Sequence, residues 1–305
     1  MKQCILFFLL CSIYFSSSSF AQNVALSFDD GFNPERQPQA ALWNKQILSH
    51  LKAHNVETIF YATGKNVNSP DGLKLVADWG NDGHQIGNHT YQHYSMHSSK
   101  ISSQQYIADI AKNETLLQHL PGWTKRFRFP YLKEGKTREK RDAIRDWLST
   151  ANYRSGAVSI DSSDWYYNRH YLALSKQQDD KKLNKLKEAY LEHLWGRAQY
   201  YDSLSKKVLN RSVEHVLLLH VNAINAAYLS DVITMFKSKQ WQIISPEQAY
   251  ADPIYAQTID ALPAGESILW QLGKQNGVEN LRYPAEDSRY ERDKIDYLVK
   301  ELNNK

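Results

Sequence analysis

Short apolar runs alternate with amphipathic stretches from residue 24 to residue 244. Residues 24–28 (VALSF) form a nearly continuous apolar run ending on two aspartates, the pattern of a buried strand. Residues 41–54 follow with helical spacing, which puts Leu42, Ile47, Leu48 and Leu51 on one face. A second strand is expected over 58–62, closed by Gly64, and a helix over 73–79, ended by Gly80. Residues 85–88 read as a short strand and 103–119 as a helix, while 127–129, 155–160 and 216–219 are further strand candidates. Repeated strand–helix units predict an α/β fold with a mostly parallel sheet wrapped by helices. In such folds reactive side chains gather at the carboxyl ends of the strands.

Two segments break this rhythm. Residues 171–210 are polar and lysine-rich, with Leu172, Leu174, Leu183, Leu186, Leu191 and Leu194 as sparse apolar positions. They read as an inserted helical pair, either a solvated decoration or a lid over a cleft. The tail, 251–305, is loop-rich and closes on a charged helix over 286–303, expected to pack on the outside of the same domain.

The start of the chain changes the setting. Lys2, an apolar run over 5–15 and a small-residue stretch over 16–19 have the order of a secretory signal peptide, with cleavage expected after Ala21. A lipoprotein signal at Cys11 is disfavoured, because bulky Leu10 stands where a small residue is needed. The apolar run is too short to span a bilayer, so an exported protein, periplasmic or secreted, is expected. Cys4 and Cys11, the only cysteines, both fall inside this leader. Thiolate chemistry and disulfides are thereby excluded from the remainder, and any metal must be held by histidine and carboxylate. A formal net charge of +4 is too mild to argue for nucleic acid.

Five polar clusters stand at or just after the apolar runs. Asp29-Asp30-Gly31 places two diverging carboxylates at a strand end, one able to bind an ion while the other stays free. His89 and His93 are four apart, so on a helical turn both imidazoles would face one ion. Arg128-Phe129-Pro130-Tyr131 offers a cation to keep a carboxylate ionised and a backbone N–H for an oxyanion. Asp161 and Asp164-Trp165 form the fourth cluster. The run 217–219 ends on His220, poised for acid–base work if Asp164 orients it. His84 reads as structural and His97 as a solvent-facing or rim residue.

In this order the five clusters resemble the polysaccharide deacetylases, the NodB-homology or carbohydrate esterase family 4 enzymes. The resemblance runs from about residue 24 to His220, with a weaker continuation to about residue 249, and implies a distorted (β/α) barrel over residues 22–250 with the helical insertion before the last motif. It also implies one divalent ion, zinc first, with cobalt, nickel or manganese as alternatives. Position by position, Asp29 resembles the catalytic base, Asp30, His89 and His93 the metal ligands, and Arg128 the residue holding the base. Tyr131 resembles the oxyanion donor, His220 the general acid and Asp164 its tuning carboxylate, with Trp165 and Leu218 lining the acetyl pocket. Val221 departs from the family, where many members carry Asp, and the stretch from Trp165 to His220 is unusually long. The activity implied is N-deacetylation of an N-acetylglucosamine-type glycan: peptidoglycan, chitin oligomers or an exopolysaccharide. The alternatives are O-deacetylation of acetylated xylan and a catalytically silent glycan-binding protein on the same scaffold. No transmembrane span and no nucleic-acid partner are expected.

Overall fold

The computed structural model describes residues 22–303; the expected leader, residues 1–21, lies outside the described residues. Strand β1 (Asn23–Asp30) is buried from Val24 to Asp29 and stands inside the sheet, as its unbroken apolar run predicts. Helix α1 (Ala40–His54) buries Ala40, Asn44, Ile47, Leu48 and Leu51 and ends on Asn55 in the left-handed conformation. Leu42, expected on that face, is instead 55% exposed. It lies five residues before Ile47, and five residues turn a helix by about 140°.

Strand β2 (Ile59–Ala62) leads into the short helix α2 (Gly64–Val67), then α3 (Pro70–Asn81) and β3 (Gln85–Asn88). Helix α3 starts earlier than its apolar pattern suggests, because Ser69 caps the Gly72 N–H and Pro70 fits the first turn. Gly80 does not end α3 but lies within it. A Cβ there would come within 1.9 Å of the Pro121 carbonyl oxygen, so close packing explains the glycine. Helix α4 (Ser103–Leu117) opens with a capping box between Ser102 and Gln105. Strands β4 (Trp123–Phe127) and β5 (Lys133–Gly135), helix α5 (Arg138–Thr150) and strand β6 (Arg154–Ser155) follow.

Helices α6 (Asp164–Ser175) and α7 (Asp180–Leu209) occupy the region expected to be a helical insert. The pair starts at Asp164, so this motif residue opens a helix rather than preceding one. Helix α7 is neither lid nor decoration. Leu186, Ala189, Tyr190, Leu194, Ala198, Tyr201 and Leu204 form a buried stripe continuous with the main core. Leucines alone look sparse there; tyrosines and alanines complete the face.

Strand β7 (His215–His220), helix α8 (Ala223–Ser238), strand β8 (Gln242–Ile243) and helix α9 (Pro246–Tyr250) come next. Strand β9 (Ala264–Gly265) and helices α10 (Ile268–Gln275) and α11 (Arg289–Asn303) complete the order. The sheet runs β6-β4-β3-β2-β1-β7, every pair parallel, with β8 beside the first residues of β1. Residues 154–160 close it: Ser155 pairs with Phe127 of β4, and Ile160 bridges Leu217 of β7. A distorted (β/α) barrel results. The tail does not merely coat it. Strand β9 pairs antiparallel with β5, directly after Tyr131 and Leu132, which draws residues 264–288 to the strand ends.

Candidate active site

Sheet register brings the sequence clusters together. Asp29 and Asp30 end β1, Asp29 stands beside His220 at the end of β7, and Ala62 of β2 links Asp30 to Asn88 at the end of β3. His89 follows Asn88, and Arg128 follows β4. Asp30 at φ 78° and Gly31 at φ 99° turn the chain sharply after the strand.

Asp30 Oδ1 lies 3.1 Å from His93 Nε2 and 3.9 Å from His89 Nε2. One ligand atom from each of the three residues falls within 4.8 Å of the others. The two histidines do not share a helical turn as expected. They lie in the loop after β3, where Thr90 (φ 63°) and His93 (φ 58°) are left-handed and fold the chain back until the rings meet at 5.0 Å. The donor set fits a zinc-type ion. His89 Nδ1 lies 2.9 Å from the Arg128 carbonyl, to which its N–H donates, leaving the Nε2 lone pair toward Asp30. Burial lowers the His89 pKa to about 4, so the ring is neutral at physiological pH. Burial works to raise the Asp30 carboxyl, but His93, then His220 and His89, hold it well below the usual carboxylate range.

Asp29 is set apart from this trio. Arg128 Nη1 donates to its Oδ1 at 2.6 Å, while Oδ2 lies 3.5 Å from His89 Nε2. Arg128 is itself clamped: Nε donates to the Gly156 carbonyl at 2.8 Å, and Nη2 to Ser27 Oγ at 2.9 Å and Tyr250 Oη at 3.2 Å. Its guanidinium stacks on Tyr61 at 4.0 Å. One oxygen of Asp29 is thus fixed and the other faces the ligand cluster.

His220 carries the opposite charge state. Its Nδ1 lies 2.6 Å from Asp164 Oδ1, and Asp164 Oδ2 accepts from the His220 backbone N–H, Asn222 Nδ2 and Asn225 Nδ2 at 2.8–3.0 Å. Burial opposes protonation of this imidazole, but Asp164, then Asp30 and Asp29, raise its pKa to about 10. Val221 is buried and donates its N–H to the Asp29 carbonyl at 3.0 Å.

These groups open into a cleft of about 700 Å³, lined also by Tyr131, Trp165 and Leu218. Tyr131 is 59% and Trp165 36% exposed. Tyr166 and Tyr167 are buried and pack within the helical region. Asp161 stands in the cleft wall, its carboxyl pushed up to about 8 by burial and by Glu286. His84 is buried against Trp79, a structural place, and His97 is half-buried, with Nε2 2.9 Å from the Ala264 carbonyl of β9.

Sequence reasoning missed three groups. Ser27, Tyr61 and Tyr250 hold Arg128, and Asn222 and Asn225 hold Asp164; the Asn222 cap of α8 was the one local signal for the second pair. The third group is the tail: Glu266, Pro284, Glu286, Asp287 and Ser288 form a wall of the cleft. Ion pairs of Glu286 with Arg197 of α7 and Arg282 fix that wall. Backbone strain also concentrates here. Asp30, Thr90, His93, Tyr131, Leu132 and Glu266 all have positive φ, whereas the other such non-glycine residues among the described ones are asparagines and glutamines. A left-handed backbone costs a non-glycine residue on the order of 1 kcal/mol, and such outliers cluster at functional sites.

Residues 18–154 match the family described as polysaccharide deacetylase. A peptidoglycan-N-acetylglucosamine deacetylase of Bacillus cereus is 35% identical over 144 residues, 47% of this chain and 46% of the relative. The peptidoglycan-N-acetylglucosamine deacetylase PgdA of Listeria monocytogenes is 23% identical over 238 residues, 76% of this chain and 40% of the relative. The chain thus spans less than half the length of these curated relatives. Among solved structures, a CE4 family pseudoenzyme from Bacillus anthracis has a TM-score of 0.51 at 16% identity, covering 75% of this chain and 66% of that one. The Bc1960 peptidoglycan N-acetylglucosamine deacetylase reaches 0.50 at 24%, covering 74% and 87%. Residues 18–154 are thus similar in sequence to polysaccharide deacetylases, and the barrel as a whole has the fold of the solved carbohydrate esterase family 4 structures.

Proposed function

We propose that this chain is a metal-dependent hydrolase that removes N-acetyl groups from an N-acetylglucosamine-type polysaccharide outside the cytoplasm. The observation that carries the reading is the division of labour at the strand ends: a three-ligand cluster, a separate clamped carboxylate and a protonated histidine. A catalytically silent protein on this scaffold has no need of all three. When bound at Asp30, His89 and His93, a divalent ion would polarise the acetyl carbonyl and acidify water.

The chain's own groups supply the rest. Asp29 Oδ2 takes a proton from water as its oxygen attacks the acetyl carbon. Arg128 fixes Asp29 Oδ1 and so keeps Oδ2 turned toward the cluster. The Tyr131 backbone N–H donates to the acetyl oxygen as charge builds on it. His220 Nε2 then passes its proton to the departing nitrogen as the C–N bond breaks, while Nδ1 stays on Asp164. Amines leave poorly unless protonated, so an imidazole that holds its proton to about pH 10 favours N- over O-deacetylation. Trp165 and Leu218 would enclose the acetyl methyl.

Acetate release from chitin oligomers, peptidoglycan, poly-N-acetylglucosamine and acetylxylan, with and without chelator, tests the reading. Chelator-sensitive release from an N-acetylated glycan is expected. Release from acetylxylan alone would overturn the substrate class, and no release from any of them the activity.

A further inference from the structure

Lys133 and Glu266 sit beside the cleft in an arrangement that stability does not explain. Lys133 opens β5 two residues after Tyr131, and Glu266 follows β9, the tail strand paired with it. Their side chains form an ion pair with only 15% and 4% exposure. A buried ion pair gains little over apolar side chains of the same volume, since both ions lose their water. Glu266 adds a φ of 73°, a strained conformation for a residue with a Cβ. Both residues line the cleft. Beside them Tyr283 remains 38% exposed, its ring backed by Trp270 at 5.4 Å and lying 5.4 Å from Lys133 Nζ. Trp270 is anchored in turn, its Nε1 donating to the Arg282 carbonyl.

An exposed aromatic face next to an ammonium and a carboxylate suits a pyranose ring. The apolar C–H face of the sugar lies on the aromatic ring, and neighbouring hydroxyls donate to the carboxylate and accept from the ammonium. We propose that Lys133, Glu266 and Tyr283 form a subsite for the sugar adjacent to the acetylated one, an uncharged hexosamine of the same glycan chain. Lys133 donates to a ring hydroxyl, Glu266 holds Lys133 and accepts from the next hydroxyl, and Tyr283 carries the ring. Glu266 and Tyr283 lie beyond the residues that match the family, so the tail supplies two of the three residues of this subsite. The identity of the neighbouring sugar rests on the deacetylase reading; the geometry does not.

The experiment uses the full chain supplied with zinc, and N-acetylglucosamine as monomer, dimer and pentamer. Calorimetry gives Kd, and acetate release gives kcat and KM. The dimer is expected to bind about five-fold tighter than the monomer, a gain that Tyr283→Ala and Lys133→Met remove, raising KM more than they lower kcat. A length dependence that survives unchanged in both variants overturns the subsite. Length-dependent binding without acetate release overturns the deacetylase reading and leaves the subsite standing. Should Lys133→Met fail to fold, Tyr283→Ala, at an exposed ring, still decides.

Discussion

Replacing Asp164 with Asn tests the proton donor directly. The rise of the His220 pKa from 6.5 to about 10 corresponds to roughly 5 kcal/mol in favour of the imidazolium, at about 1.4 kcal/mol per tenfold in proton affinity. Burial works against that rise, and Asp164 is the largest group overcoming it. A bound divalent ion would offset Asp30, leaving Asp164 still more dominant. Without its charge the burial penalty is unopposed, and His220 falls below its ordinary value. At pH 8 a histidine of pKa about 6 is protonated to about 1%, so kcat should drop on the order of 100-fold, with a smaller loss at pH 6. The alkaline limb of the kcat profile, expected near pH 10 in the parent, should move below pH 7. An Asn amide would also face the Asn222 and Asn225 donors, costing about 1–3 kcal/mol of stability, which urea denaturation measures separately. The pair has a signature of its own in the parent protein. Because the folded pKa is raised, its stabilisation is complete below pH 6.5 and is lost as pH rises through about 10. An Asp164→Asn variant that keeps its alkaline limb near pH 10 and a kcat within about three-fold of the parent would refute the assignment.

Asp29→Asn should cut acetate release by about 100-fold or more while the protein keeps its metal; a normal rate rules out Asp29 as base. His93→Ala should lose the ion on dialysis, and an unchanged metal-to-protein ratio by elemental analysis would contradict the ligand set. Arg128→Met leaves Asp29 buried and unpaired, a loss of about 3–5 kcal/mol in urea denaturation; a loss under about 1 kcal/mol would mean the clamp is not needed. Leu194→Ala in α7 should cost about 2–5 kcal/mol as a core truncation, and a near-neutral result would return α7 to the status of a decoration.

Strand ends were the most legible part of the chain. An apolar run that stops on Asp29-Asp30, or on His220, declares both a buried strand and a polar group at its carboxyl end. The neighbourhood of Asp29 and His220 then follows from register. The conformation of the His89–His93 loop was not legible, because a spacing of four suits a helical turn as well as a turn made by two left-handed residues. The support of Arg128 was hidden for a different reason: Tyr250 lies 122 residues away, and tyrosines carry no positional signature. The tail wall had no periodic signal either, since Lys133–Glu266 and Arg197–Glu286 are pairings made only by the fold. In α7 the eye follows leucine, but the buried stripe is written as much in Ala189, Tyr190, Ala198 and Tyr201.

The segment that meets β4 at Ser155 and β7 at Ile160 has a consequence for how a polymer is admitted. A sheet joined at both margins behaves as a hoop: widening it anywhere means breaking parallel pairing somewhere else. The gap between Asp29 and His220 is therefore a fixed gauge, and the room for a bulkier or branched glycan has to come from the tail wall, which lies outside the parallel pairing and is held to the barrel by β9, by the Ile268 N–H on the Val158 carbonyl and by the Glu286 ion pairs.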